Sequence, residues 1–208
     1  MDAHAIVALA AERARCMDEA AVSQPGGLMA VSGLSAEAVA SRCADLGLAW
    51  AIDLGPSQSV QAGTWQALDD AAARLSAAGA ECRRLPVAVA SHSPFMASAV
   101  APFARRLSAL PWRSLRCPVA VNAGGRLVRD ESSLRRALAT QLDHRVDWAT
   151  VEDQLAQRGV RCVLEVGPGR ALSRGWQQRQ PAAVPARALE DFASAQGAAD
   201  WVRARLSG

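Results

Sequence analysis

The sequence contains no lysine; all 23 of its basic side chains are arginine. Together with the abundance of alanine, this reflects compositional bias rather than selection for a partner. The net charge is only +3, and the arginines are scattered along the chain. No basic stripe grips a phosphate backbone, which argues against a nucleic-acid partner. No run of about 18 apolar residues is present, so no membrane-spanning helix is expected. The N-terminal Met-Asp-Ala-His lacks a basic region followed by an apolar stretch, so no secretory signal is read there, and a soluble, cytoplasmic protein is expected. No C-x-x-C pair occurs. The cysteines (Cys16, Cys43, Cys82, Cys117 and Cys162) are odd in number and widely spaced. That pattern points to reduced, mostly buried thiols, with no metal site and no disulfide framework. Repeats and low-complexity segments are absent, and so is G-x-S-x-G, the elbow that presents a nucleophilic serine.

Half of the 208 residues are apolar, enough for one large domain or two small ones. Residues 2–22 read as one helix, ended by Gln24-Pro25-Gly26-Gly27. The next stretch alternates: a strand at Leu28–Val31, a helix capped by Ser35 with Val39, Cys43 and Leu46 on one face, and a strand from Leu48 to Asp53. A strand at Ser59–Ala62 follows, then a helix capped by Thr64 with Leu68, Ala72 and Leu75 inward, a stop at Gly79, and a strand from Leu85 to Ala90. The order βαββαβ is the split βαβ, or ferredoxin-like, pattern.

Beyond residue 90, Pro94 starts a helix striped by Met96, Val100, Phe103, Leu107 and Leu110. Val119–Val121 reads as a short strand. A helix carries Leu134, Leu138 and Leu142, and another runs from Trp148 to about residue 158. The apolar run Val160–Val166 reads as a parallel strand buried on both faces and ended by Gly167-Pro168-Gly169. Helices near 170–178 and 195–206 flank a strand around Val184–Leu189. The fold class is α/β, divided as 1–24, 25–90 and 91–208.

The chain has three histidines. His4, near the chain end, and His144, between Asp143 and Arg145, read as solvated. His92 lies in Ser91-His92-Ser93-Pro94, where a strand gives way to a helix. Catalytic groups of open α/β folds gather at such points, and an imidazole shuttles protons near neutral pH. A helix-capping or gap-filling histidine is the alternative. A Gly167-Pro168-Gly169 turn ahead of a helix could approach an anion through its N–H groups, or simply pack strand against helix.

Five segments in one order carry a resemblance. They are Arg13-Ala-Arg-Cys-Met17, Pro56-Ser-Gln58-Ser-Val-Gln-Ala-Gly63, Ala90-Ser-His92-Ser-Pro-Phe-Met96, Gln141-Leu142 with Arg145-Val-Asp-Trp148, and Glu165-Val-Gly-Pro-Gly-Arg-Ala-Leu172. Together they resemble the malonyl-CoA:acyl carrier protein transacylases and related acyltransferase domains. The resemblance implies an α/β-hydrolase-like acyltransferase core with an inserted ferredoxin-like subdomain at residues 25–90. It implies ping-pong transfer of malonyl from coenzyme A to an acyl carrier protein through a serine ester, with malonyl-CoA as substrate and no permanently bound cofactor. His92 becomes the base and Gln141 its orienting group, through its backbone carbonyl. Arg13 becomes the partner of the malonyl carboxylate, with Arg15 as its competitor. Residues 167–169 become a structural turn near the site.

Departures from the family pattern fall at Leu54-Gly55 and at His144, which stands near the usual proline. The family's serine elbow and oxyanion glutamine lie upstream of the arginine helix, so the chain reads as the C-terminal part of a member and as inactive alone. A non-catalytic module binding a carrier protein or another subunit is the alternative, and a broader hydrolase completed by another chain is a third. Residues 186–201 look most like the malonyl transferase subunit of malonate decarboxylase, which would add other decarboxylase subunits as partners.

Overall fold

The computed structural model describes residues 2–180 and 184–207. The chain is α/β and forms two compact units, Met1–Val151 and Glu152–Gly208.

The first unit opens with helix α1 (Ala3–Ser23), whose first turn is closed by the Asp2 carboxylate accepting from the Ala5 N–H at 2.8 Å. Four strands follow, β1 (Gly27–Ser32), β2 (Ala49–Gly55), β3 (Gln58–Gly63) and β4 (Glu81–Arg84), with helices α2 (Ala36–Arg42) and α3 (Trp65–Ala77) between them. The hydroxyls of Ser35 and Thr64 accept from the backbone of Ala38 and Ala67 and start these two helices. The strands lie in the order β4-β1-β3-β2, and every neighbour is antiparallel. Each helix therefore joins two strands that have a third between them. A fifth strand, Val146–Asp147, missed in the sequence, adds parallel to β2.

Alternation along β1 splits the core in two. Met29 and Val31 face the helices, packing with Val39, Leu68, Ala71 and Leu75. Leu28 faces the other side with Ala51, Val60, Ala62 and Ala90. Ala90 and the partly buried Phe95 thus fasten the segment around His92 to the second face of the sheet.

That segment corrects one expectation. Leu85–Ala90 is not a strand; the last strand is Glu81–Arg84. The Leu85 N–H still reaches the Leu28 carbonyl at 2.9 Å, but β1 begins at Gly27 and offers no further partner, and Pro86 has no N–H to donate. At Gly26 an added Cβ would stand 2.3 Å from the Gly63 carbonyl oxygen, so close backbone approach demands glycine there.

After a 3₁₀ turn at Pro94–Met96 comes α4 (Ala97–Ala109), then the hairpin of β5 (Val119–Ala120) and β6 (Leu127–Val128), α5 (Glu131–Thr140) and β7 (Val146–Asp147). Helix α5 stops short of Leu142, whose side chain is nonetheless fully buried in the turn that follows. Cys16, Met17 and Ala20 of α1 pack on Met96, Ala99, Phe103 and Leu107, with Leu142 beneath. Helix α6 (Trp148–Gln157) begins in this unit and ends in the next.

The second unit holds β8 (Val163–Glu165), α7 (Ala171–Arg179), β9 (Ala186–Ala188), a 3₁₀ turn and α8 (Ala195–Leu206). β8 and β9 pair in parallel. The run expected to be buried on both faces is only half-buried, and Val166 is 74% exposed. Among the described residues β8 has a strand on one edge only. Buried Glu152 of α6 pairs with Arg179 of α7 at 2.8 Å. Among the described residues, no helix is long and apolar enough to cross a membrane.

Leu68 is fully buried and Leu206 is 57% exposed. In urea unfolding followed by circular dichroism, Leu68→Ala is expected to cost about 2–5 kcal/mol, and Leu206→Ala less than about 0.5 kcal/mol.

Candidate active site

Arg13 stands three, four and seven residues before Cys16, Met17 and Ala20, the buried side chains of α1. On a helix those spacings share one face, so Arg13 points the way the core does. It is half-buried, and its Nε is shielded from water with no hydrogen-bond partner. Burial draws its pKa below the ordinary arginine value, yet a guanidinium in a protein keeps its charge. Arg15 lies on the outer face. It donates to Glu12 at 3.1 Å and also pairs with Glu19, while Arg106 takes Glu12 from the other side at 3.1 Å. The outer arginine is thus engaged in surface pairs, while the inner one has no carboxylate partner among the described residues.

His92 is the one non-glycine residue with positive φ among those described, at 60°. Left-handed backbone costs an L-residue roughly 1–2 kcal/mol and must be held from outside. Two carbonyls of the turn after α5 hold it. The backbone N–H donates to Leu142 at 2.9 Å, and ring Nδ1 lies 2.7 Å from the Gln141 carbonyl oxygen. Next to it, the buried Ser93 hydroxyl donates to the Ala90 carbonyl at 2.6 Å, and Pro94 starts the following 3₁₀ turn. His92 therefore sits beyond an irregular stretch, rather than at a strand end as the sequence suggests.

A carbonyl only accepts, so the neutral ring must carry its proton on Nδ1. That leaves the Nε2 lone pair as an acceptor, the form a general base requires. Burial pushes the His92 pKa below the ordinary imidazole value. The bond to Gln141 opposes this shift, and the charge of Arg13 adds to it. The ring is therefore neutral at pH 7, and Arg13 is near enough for its charge to be felt there.

Gln141 acts in this geometry through its main chain. Leu142, which sequence reasoning did not single out for a polar role, supplies the second carbonyl; its apolar side chain gives no sign of this. His144 is exposed, with Nδ1 2.6 Å from the Asp143 carboxylate, and His4 is exposed as well.

Gly167, Pro168 and Gly169 belong to the second unit. Gly169 has φ +96°, which favours glycine. Its N–H donates to Glu190 at 2.9 Å, while the Glu165 carboxylate accepts from Leu172 and Ser173 at 3.2 and 2.8 Å. Burial raises the Glu165 pKa, but these bonds outweigh it and leave the group lowered. The anion positions of this helix start are thus filled by the protein's own carboxylates.

The chain belongs to the acyl transferase domain family, whose model matches residues 1–188. It is 32% identical over 197 residues to the malonyl CoA-acyl carrier protein transacylase of Salmonella typhimurium, an alignment covering 92% of this chain and 63% of that protein. Among solved structures, MCAT from Mycobacterium tuberculosis is 31% identical with a TM-score of 0.86, covering 95% of this chain and 64% of that one. The acyltransferase domain of an iterative polyketide synthase in enediyne biosynthesis is 32% identical with a TM-score of 0.81, covering 99% of this chain and 53% of that one. The chain thus spans between 53% and 64% of the length of these relatives.

In an NMR titration of the three histidines, His92 is expected to titrate below about 6.5, and Arg13→Ala to raise its pKa. Gln141→Ala, which keeps the carbonyl, should leave the titration nearly unchanged. The linkage sign follows from the depressed folded pKa: the unfolded state binds the proton more readily. Stability contributed by His92 is present above about pH 6.5 and lost as pH falls through the folded value. Chemical denaturation across that range should show a smaller acid loss for His92→Gln; an equal loss would place the acid-sensitive group elsewhere.

Proposed function

We propose that this chain carries the proton-accepting and carboxylate-recognising half of a malonyl transferase that moves malonyl from coenzyme A to an acyl carrier protein. One observation carries the reading: a base with its Nε2 lone pair free stands within the electrostatic reach of an unpaired, half-buried guanidinium. His92 takes the proton of a nucleophilic hydroxyl as it attacks the thioester carbonyl, and later returns a proton to the leaving group. The Gln141 carbonyl holds the tautomer and stabilises the imidazolium formed in between. Arg13 receives the free carboxylate of malonyl through a two-pronged charge-assisted pair. Acetyl has no carboxylate to offer and leaves that charge uncompensated. The relatives named for malonyl transfer support the substrate, and the segments around Arg13, His92 and Gln141 support the roles.

The 208 residues hold no G-x-S-x-G. Acyl transfer therefore needs a nucleophile from polypeptide outside them, and that same absence favours a second reading, a non-catalytic module that binds a carrier protein. The C-terminal stretch likened to the malonate decarboxylase subunit bears on which carrier is used. Several of its residues also pack the second unit. Arg187 stacks over Phe192 at 3.9 Å, and Phe192 meets Trp201 edge-on at 5.8 Å.

Incubated with labelled malonyl-CoA, the chain alone should form no stoichiometric acyl-enzyme, since loss of a triad nucleophile leaves only residual catalysis. It should bind malonyl-pantetheine more tightly than acetyl-pantetheine by roughly 10- to 100-fold, the value of a charge-assisted pair, and Arg13→Ala should erase the difference. Equal affinity for both thioesters overturns the role of Arg13. Carrier-protein binding without any thioester binding would establish the non-catalytic reading.

A further inference from the structure

Ser93 stands at the N-cap of the 3₁₀ turn Pro94–Met96, yet its side chain makes no cap. An N-cap hydroxyl ordinarily turns forward and accepts from the helix start, as those of Ser35, Thr64 and Ser194 do. The Ser93 hydroxyl points backward instead and donates to the Ala90 carbonyl at 2.6 Å. It does so out of water, since Ser93 is only 1% exposed.

The direction matters because of what the bond encloses. It closes a loop of four residues, 90–93, and His92 with its φ of 60° lies inside that loop. Ala90 is fully buried on the second face of the small sheet, with Leu28, Ala51, Val60 and Ala62. Three residues beyond Ser93, Met96 is fully buried in the cluster that holds Cys16 and Met17 of α1. The Met96 N–H donates to the Ser93 carbonyl at 2.9 Å. Ser93 therefore ties the sheet-side anchor to the helix-side anchor, with its hydroxyl reaching one way and its carbonyl the other.

The Gln141 and Leu142 carbonyls restrain His92 from outside this loop, and Ser93 restrains it from within. A left-handed L-residue relaxes unless its neighbours forbid it. Rotation at His92 would draw the Ser93 hydroxyl away from the Ala90 carbonyl, so the bond opposes that relaxation.

We propose that Ser93 is a positioning residue for His92. Its inward hydroxyl fixes the backbone from which the ring reaches the Gln141 carbonyl, and so keeps the proton on Nδ1 and the Nε2 lone pair free. That His92 serves as a base rests on the proposed function; the hold on its ring rests on the loop alone. A hydroxyl that only satisfied a buried carbonyl would affect stability when removed and leave the ring as it was.

Nitrogen NMR of the histidine rings reads which nitrogen carries the proton. Ser93→Ala should keep the parent circular dichroism spectrum and shift the His92 tautomer ratio toward Nε2–H by roughly two- to tenfold, the value of one net hydrogen bond. It should also raise the ring pKa toward the ordinary imidazole value, because burial is the largest cause of the depression. Ser93→Thr restores the hydroxyl and should return both readings to those of the parent. Ser108→Ala removes an exposed hydroxyl that donates to the Ala104 carbonyl at 3.0 Å in α4, and should move neither. A folded Ser93→Ala whose tautomer and pKa match the parent overturns the proposal, as does a Ser93→Thr that behaves like Ser93→Ala. If Ser93→Ala does not fold, Ser93→Cys, close in shape and a weak donor, should shift the tautomer the same way by less; an unshifted ring there overturns the proposal too. Selectivity for malonyl- over acetyl-pantetheine is measured alongside on the parent chain. A ring that moves in Ser93→Ala, in a chain without malonyl selectivity, overturns the proposed function and leaves Ser93 as the hold on His92. Malonyl selectivity with an unmoved ring does the reverse.

Discussion

The candidate site depends on the pair of carbonyls, Gln141 and Leu142, that capture His92. They keep an L-residue in left-handed backbone, choose which ring nitrogen is protonated, and connect a loop to a turn 49 residues further along the chain. That turn is itself fixed by the fully buried Leu142 side chain, which rests under α1 and α4. A strained residue persists only where its surroundings over-determine it. Here the surroundings are two main-chain bonds on one side and the sheet-packed Ala90 and Phe95 on the other.

The same packing sets the electrostatics. Bringing α1 onto α4 places Arg13 near His92, and no acidic side chain accompanies it inward. Glu12 and Glu19 stay on the outer face with Arg15 and Arg106. A half-buried cation beside a neutral base is costly to leave alone, and the cost is relieved when an anion arrives. The proposed role of Arg13 toward a carboxylate draws on that cost.

The second unit shows the opposite solution. Its glycine turn and helix start offer several N–H donors, and Glu165 and Glu190 fill them from within. Its buried Glu152 is matched by Arg179. Here the chain supplies its own counter-charges, and the result is structure.

Much of this is written locally. Ser35, Thr64 and Pro94 start their helices, apolar spacing orders the strands and helices of the small sheet, and the motif around His92 marks the proposed base. Such signals act over a few residues and survive in any context that preserves the helix or strand. The end of β4 is different. Leu85–Ala90 has strand composition, but β1 runs out opposite it, and a ladder needs a partner that composition does not reveal. The choice of Arg13 over Arg15, the Nδ1 tautomer of His92, and the filled state of the 167–169 turn likewise depend on groups distant in sequence. The sequence by itself determined most of the elements and the residue types of the candidate site. The tertiary structure alone decided which charges are compensated, because compensation is a matter of distance in space between side chains that periodicity cannot pair.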